Sequence, residues 1–333
     1  MADDTTKGDV GDFVVYHEEF FGGFSEALEQ NSNIFNEASQ GAIQLRPNRL
    51  IGHFEKESFF KSVTNLIAPR DVALNDVTAD LKLEQGEIIG VKLNRRIGPV
   101  TNTIDSFRKI GESAETMSFM LGQQIGKAAA VDMTNTSIAA LVGGISNLGA
   151  TALHDGTAGT PTHSGLVDIL SKMGDGEGGI IAWVMHSKSY FDLVKQSIAD
   201  KVFEVAGVTI YTGTVATLNR PVVVVDSSAL TVPAAGEVPI QYNILGLTEG
   251  ACIVDESERQ EVVSDTVTGY ENLLLRIQGE YAYNLKLKGI AYDTAAGGSN
   301  PNAAAVALAT NWDSVLSAAN GIKGGPGARG LFD

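Results

Sequence analysis

Few residues in this sequence have types and spacings that suit catalysis, and their surroundings argue against it. Gly174, Gly176 and Gly179 in the run GDGEGG match G-x-G-x-x-G. A dinucleotide site needs that run after a strand and before a helix, so that the helix N-terminus faces the pyrophosphate. Here a helix reads before it and a strand after it, and no nucleotide site is expected. The five histidines, His17, His53, His154, His163 and His186, show no metal-ligand spacing. Cys252 is the single cysteine, has no partner motif nearby, and reads as a small buried side chain. No G-x-S-x-G elbow and no phosphate-binding loop occurs. The acidic group Asp255, Glu256, Glu258 and Glu261 has the charge for a divalent cation but reads better as a solvated edge. The expectation is no catalytic residue, no cofactor and no metal.

Composition points the same way. The chain has 333 residues, enough for two domains or one elaborate one, with 44% hydrophobic and 19% charged residues, which are globular values. A net charge of −16 excludes a broad basic surface for nucleic acid. It suits a container wall that should not grip DNA, and equally any acidic soluble protein. With one cysteine there is no intrachain disulfide framework, as in a reducing cytoplasm. No secretory signal is expected at the N-terminus, and no apolar run approaches the roughly 20 residues that span a bilayer.

The elements that would position any site stand out more than the site does. Ser113 to about Ile145 holds no proline and repeats apolar residues at Met117, Leu121, Ile125, Ala128, Val131, Ile138, Leu141 and Val142. That is the spacing of one helix face. Ser113 reads as the N-cap, Gly143–Gly144 as the stop, and the length is about 45–50 Å. Gly122, Gly126 and Ala128–Ala130 leave one side thin enough for a close neighbour.

Ahead of it, residues 1–12 read as a mobile polar arm, and Phe13 to Phe35 is rich in aromatics that must be buried, on this chain or on a neighbouring one. Ala42–Leu45 reads as extended; Phe54 to Ile67 reads as helix or strand, undecided. Val77, Ala79, Leu81 and Leu83 alternate with polar residues, as do Ile89, Val91 and Leu93. A three-residue loop Glu84–Gln85–Gly86 would put both apolar rows on one face, with Gly86 at the left-handed position. The expectation is a long hairpin with one sticky face, which must lie on its own domain or on a neighbour.

After a small-residue loop from Ser146 to Gly165, helices at Leu166–Met173 and Ser189–Ala199 alternate with strands at Ile180–Met185, Val208–Tyr211, Pro221–Asp226, Ile240–Gly246 and Ala251–Val254. These predict a compact α/β module over about 165–265, with Val222–Val225 central in its sheet. Leu273 to Lys288 alternates strictly and predicts an unusually long strand, with the long helix across its apolar face. The tail predicts a short helix near Trp312–Ala319, then a flexible glycine-rich end.

This order of parts resembles the major capsid protein of tailed bacteriophages, the α+β fold named after phage Hong Kong 97. The phrases GAIQL (41–45), VKLNRRIGPV (91–100), NRPVVVVDSS (219–228) and ALATNWD (307–313) are similar to phage coat proteins, and the resemblance covers essentially the whole chain. It implies an N-terminal arm (1–50), an extended loop (51–100), a peripheral domain with its spine helix (101–164, helix 113–145), an axial domain (165–265), and a return strand and tail (266–333). It further implies self-association into hexamers and pentamers that form an icosahedral shell around double-stranded DNA in a virion assembled in the host cytoplasm. Scaffolding, portal and decoration proteins would be partners, and no membrane would be involved. Some relatives cross-link subunits through a lysine of the extended loop, for which Lys82 and Lys92 are the candidates, though no motif maps residue by residue and no site is assigned. An encapsulin-like compartment shell shares the fold and is the first alternative. A soluble α/β enzyme with an unfamiliar site is the second.

Overall fold

The computed structural model describes residues 22–27, 30, 36–37, 39–46, 54–61, 66–69, 72–73, 77–78, 80–103, 114–204, 218, 220–234, 239–316 and 321–333. Residues 22–27 are helical. The main elements follow as β1 (Ile43–Arg46), β2 (Phe54–Phe60), β3 (Gln85–Thr103), α1 (Ala114–Asn147), β4 (Leu153–Gly156), α2 (His163–Lys172), β5 (Ile180–Met185), α3 (Ser187–Glu204), β6 (Val222–Val224), β7 (Thr231–Val232), β8 (Gln241–Thr248), β9 (Cys252–Val267), β10 (Leu274–Leu287), β11 (Ile290–Tyr292), α4 (Thr294–Gly297), α5 (Ala303–Ala307), β12 (Trp312–Ser314) and β13 (Gly327–Phe332).

The strands form two sheets. A long sheet has the path β1-β9-β10-β11-β12, with β3 on β10 and β2 on β3; a compact sheet runs β4-β13-β8-β5-β6, with β7 on β8. The return strand is where its alternation placed it, at Leu274–Leu287, and it has two long antiparallel partners, β3 and β9. The expected strand at Ala251–Val254 is instead the start of 16-residue β9, which leaves the compact sheet and joins the long one.

α1 is the expected long helix, 34 residues and about 50 Å. Its C-terminal half lies between the sheets: Ile138, Leu141 and Ile145 share one buried core with Val184 and Leu245 of the compact sheet and Tyr283 and Leu285 of the long one. Here nearly every side of the helix is covered. Nearer its start, Ala128 and Val131, expected inward, are exposed, and Ala129, Ala130 and Met133 face in. By length and composition Phe119–Asn147 could cross a bilayer, against the sequence expectation, yet 67% of its most apolar window is buried inside the protein, as in a core helix.

Gly143 and Gly144 do not end the helix; it runs on to Asn147, and the left-handed residue is Gly149, φ 65°. The two glycines are contact points. A Cβ on Gly143 would lie 2.8 Å from the carbonyl oxygens of Val306 and Ala307, and one on Gly144 would lie 2.5 Å from Leu287 Cδ1. Gly143→Ala is therefore expected to destabilise by about 1–3 kcal/mol, although alanine is the better helix former by about 1 kcal/mol. Urea denaturation of the variant measures it; a stabilised variant would contradict the close approach. The thin side foreseen at Gly126 is used as well: a Cβ there would meet Phe24 O at 2.9 Å and Ala27 Cβ at 3.1 Å, so the 22–27 helix lies directly on α1. Phe24 is the arm aromatic that the structure describes as buried. Phe13, Phe20, Phe21 and Phe35 of the same stretch lie outside the described residues, as do the Ser113 cap and the strand expected at Val208–Tyr211.

The tail corrects the sequence reading twice. Trp312 begins strand β12 rather than a helix, buried with Nε1 donating to Val306 O at 2.8 Å. The glycine-rich end is not loose: β13 lies between β4 and β8 in the compact sheet. Conversely, Val222–Val224 is short and terminates the sheet path, paired only with β5 among the described residues.

Candidate assembly surfaces

The expected hairpin exists, but with other arms. Phe54–Phe60 pairs antiparallel with Gln85–Val91 from Phe54↔Val91 to Phe60↔Gln85, and Lys61 N donates to Glu84 O at 2.9 Å. Gly86 is not a turn residue; it lies in β3 beneath the Phe59 ring. The alternating run at Val77–Leu83 belongs to the long connection 61–84 rather than to a strand. β3 is 19 residues long, about 60 Å, and its partner changes near Val91, which pairs with Phe54 on one side and Leu285 on the other. The hairpin thus projects beyond β10 and carries the 61–84 connection at its far end. Lys56–Glu87 at 3.4 Å and Lys61–Glu84 at 3.7 Å mark the register on its exposed surface. Such exposed pairs add little energy.

That connection is the most exposed apolar segment described. Phe60, Leu66, Ile67, Val72, Val77, Leu81 and Leu83 are all at least 56% exposed, Ile67 at 96% and Val77 at 100%. A second exposed group, Val100, Val263, Tyr270 and Leu273, sits at the opposite end of the long strands. Scattered surface leucines need no explanation, but seven large apolar residues on one projecting segment do.

A polar lock holds the base of β3 to the helix. Arg95 Nε donates to Asp132 Oδ2 at 2.7 Å, and its Nη2 donates to Thr136 Oγ1 and to the Tyr283 hydroxyl, each at 3.1 Å. Tyr283 and Tyr281 donate to the same Asp132 oxygen at 3.0 and 3.3 Å. Burial acts against the Arg95 charge, but Tyr283 and Asp132 outweigh it and raise its pKa. Burial first, then the Asp132 charge, pushes both tyrosine hydroxyls well above their ordinary value. Unfolded tyrosine titrates near pH 10. Groups whose folded pKa is raised contribute stability that is full below that pH and lost as pH rises above it. The urea midpoint is expected to fall between about pH 9.5 and 11, and less steeply in the double variant Tyr281→Phe, Tyr283→Phe. The sequence gives no sign of this lock beyond two tyrosines at alternate positions, because its members come from three distant segments.

The residues singled out for chemistry do not converge. Gly174–Gly179 is a 3-10 turn between α2 and β5, helix before and strand after, with Asp175 paired to Lys323. His154 lies 3.9 Å from Asp168 and His186 lies 3.6 Å from Asp226, at separate places; His163 starts α2. His17 and His53 lie outside the described residues. Among the described residues no group of three His, Cys, Asp or Glu could hold a metal. Cys252 is fully buried, and burial pushes its thiol up to about 12, against the Ser137 hydroxyl, so it stays a thiol at neutral pH. The acidic group is only partly a solvated edge: Asp255 is buried and Glu258 pairs with Lys92. Lys92 is itself 6% exposed and sits within the sheet; Lys82, in the 61–84 connection, is exposed.

A family model described as Gp13-like, major capsid protein 13-like, matches residues 12–327. Among solved structures, a chain of Mycobacterium phage Adephagia superimposes with a TM-score of 0.54 at 9% identity, covering 89% of this chain and 90% of that one. Chains of Mycobacterium phages Cain (TM-score 0.52, 9% identity) and Bobi (0.51, 8%) align over the same shares, 89% and 90%. At these identities the likeness is one of fold. No curated protein sequence matches the chain.

Proposed function

The chain belongs to the Gp13-like major capsid protein family, and from that premise we propose how its surfaces build a shell. It is a structural coat protein of a phage virion with the capsid fold expected from its order of elements. Neither the compartment-shell reading nor the enzyme reading gains support from these findings. The proposal is that subunits form hexamers and pentamers that close an icosahedral head around double-stranded DNA. The carrying observation is the 61–84 connection, whose six exposed apolar side chains, with Phe60 at the end of β2, have no cover on their own chain among the described residues. They are buried on the adjacent subunit, at about 25 cal/mol per Å² of apolar area.

In this reading the extended loop is β2, β3 and the segment between them, within 51–100. The peripheral domain is the long sheet with α1. The axial domain is taken as the compact sheet, from near 153 to the start of β9, with β13 of the tail, a reading supported by the strand order. The charge of −16 keeps the wall from gripping DNA without sequence preference. Scaffolding, portal and decoration proteins are the expected partners, with assembly in the host cytoplasm. Negative-stain electron microscopy with size-exclusion elution tests the reading. Rings, tubes or closed shells support it. A monomer at every concentration, unchanged in solubility when 62–83 is shortened, would overturn it.

A further inference from the structure

The 22–27 helix is one end of a longer apolar stripe. Phe13, Tyr16, Phe20, Phe24 and Ala27 are spaced three and four apart, which is one helix face. Phe24 and Ala27 are buried, and both meet Gly126 of α1. A Cβ on Gly23 would lie 2.5 Å from Phe119 O, so this helix runs alongside α1 in the same direction, from Phe119 toward Gly126. Followed backward from Gly22, the chain is aimed past the start of α1.

An uncovered apolar surface lies there. α1 and β10 also run the same way: Gly144 lies against Leu287, Asp132 accepts from Tyr281 and Tyr283, and Leu121 and Ile125 pack with Ile277. The first turn of α1 therefore lies near the Leu274 end of β10. Val100 of β3 is directly across from Ile277 and shares its face. Leu273, just before β10, continues the alternating row of Ile277, about 13 Å further along. Ile277 is buried, but Val100, Leu273 and Tyr270 in the adjoining turn are exposed. Val263 pairs with Gln278 and belongs to the other face.

We propose that residues 13–21 continue the 22–27 helix back over this end of the long sheet of their own chain, with Phe13, Tyr16 and Phe20 on Val100, Tyr270 and Leu273. As helix the segment spans about 14 Å, the length of the uncovered row. The same stripe that seats Phe24 and Ala27 on α1 then seats the aromatics ahead of them. Phe24 acts as the tether. It holds the segment beside the surface at a local concentration in roughly the millimolar range, which favours its own chain over a second copy. The contact lies within one chain and does not depend on the assembly proposed above.

Disulfide trapping in the full-length chain tests this directly. The double variant Tyr16→Cys, Leu273→Cys is treated with oxidised glutathione, and Phe13→Cys and Phe20→Cys, each combined with Leu273→Cys, bracket the register. Cys252 is fully buried and does not compete. The expected result for at least one pair is a disulfide within a single chain: a tryptic peptide pair joined through position 273, at monomer mobility on a non-reducing gel. Free thiols in all three variants overturn the proposal. A disulfide-linked dimer overturns it as well, because the segment then lies on a neighbouring copy. Hydrogen exchange gives a second measurement without new cysteines. The triple variant Phe13→Asp, Tyr16→Asp, Phe20→Asp should exchange at least about tenfold faster over 98–103 and 268–276, with the compact sheet unchanged. Parent-like exchange over both segments would show that nothing from the arm covers them.

Discussion

The double variant Ile67→Asp, Val77→Asp is expected to fold as the parent does and to fail to form shells. Both side chains lie almost wholly in solvent on the single chain, at 96% and 100% exposure. Surface substitutions away from packed features change folding stability by no more than about 0.5 kcal/mol. Assembly is another matter. Full burial of a valine or isoleucine on a neighbour contributes about 1.5–3 kcal/mol, and a carboxylate in the same place costs several kcal/mol more unless it is paired. Two such changes per subunit come to at least about 5 kcal/mol, and each 1.4 kcal/mol is tenfold in an equilibrium constant. The concentration needed for assembly should rise at least about 1,000-fold. Circular dichroism and the urea midpoint report on the fold; sedimentation and electron microscopy report on the shells. Parent-like shells at the parent concentration would show that the 61–84 segment is not an intersubunit contact.

That segment also shows where sequence reading stops. Val77–Leu83 alternates like a strand, and Gly86 offers the chemistry of a tight turn, so a long hairpin closed by that turn satisfied every local rule. What decides is which strand pairs with Gln85–Val91, and Phe54–Phe60 does so with its own aromatics, including Phe59 over Gly86. The alternating run is left exposed on the single chain. Single-chain patterning cannot separate a half-buried strand from a surface kept for another subunit.

The long elements were legible because length and period agree. α1 and β10 fall within a residue or two of their expected spans. The end of α1 was misjudged for a physical reason: Gly143–Gly144 has the composition of a terminator, but here the missing side chains admit α5 and Leu287. Composition likewise hid β13. The Arg95–Asp132–Tyr283 lock is a product of register, and register between strands so far apart in sequence leaves no local trace.

The largest expected loss of stability lies in that hidden strand. Phe332→Ala should cost about 3–5 kcal/mol, and deletion of 327–333 should leave the compact sheet unfolded. β13 pairs parallel with β4 through Arg329↔Leu153 to Phe332↔Gly156, and antiparallel with β8 through Gly327↔Leu247 to Phe332↔Tyr242. Without it β4 has no sheet partner among the described residues. Ala328 and Phe332 belong to the second core, with Leu166, Ile169, Trp183 and Met185. Arg329 adds a longer reach. Its Nη1 donates to Ser146 Oγ in the last turn of α1, a turn with no basic residue of its own. A cation there complements the helix dipole, and burial lowers its pKa, so its charge is held at some cost. The tail therefore ties the compact sheet to the helix that serves both cores. Urea denaturation followed by Trp183 and Trp312 fluorescence separates the two regions, since one indole lies in each core. Phe332→Ala should shift the Trp183 transition first and further. Coincident, unshifted transitions in that variant, or a truncated chain that still unfolds cooperatively, would mean that the glycine-rich end is dispensable and that β13 does not hold the sheet.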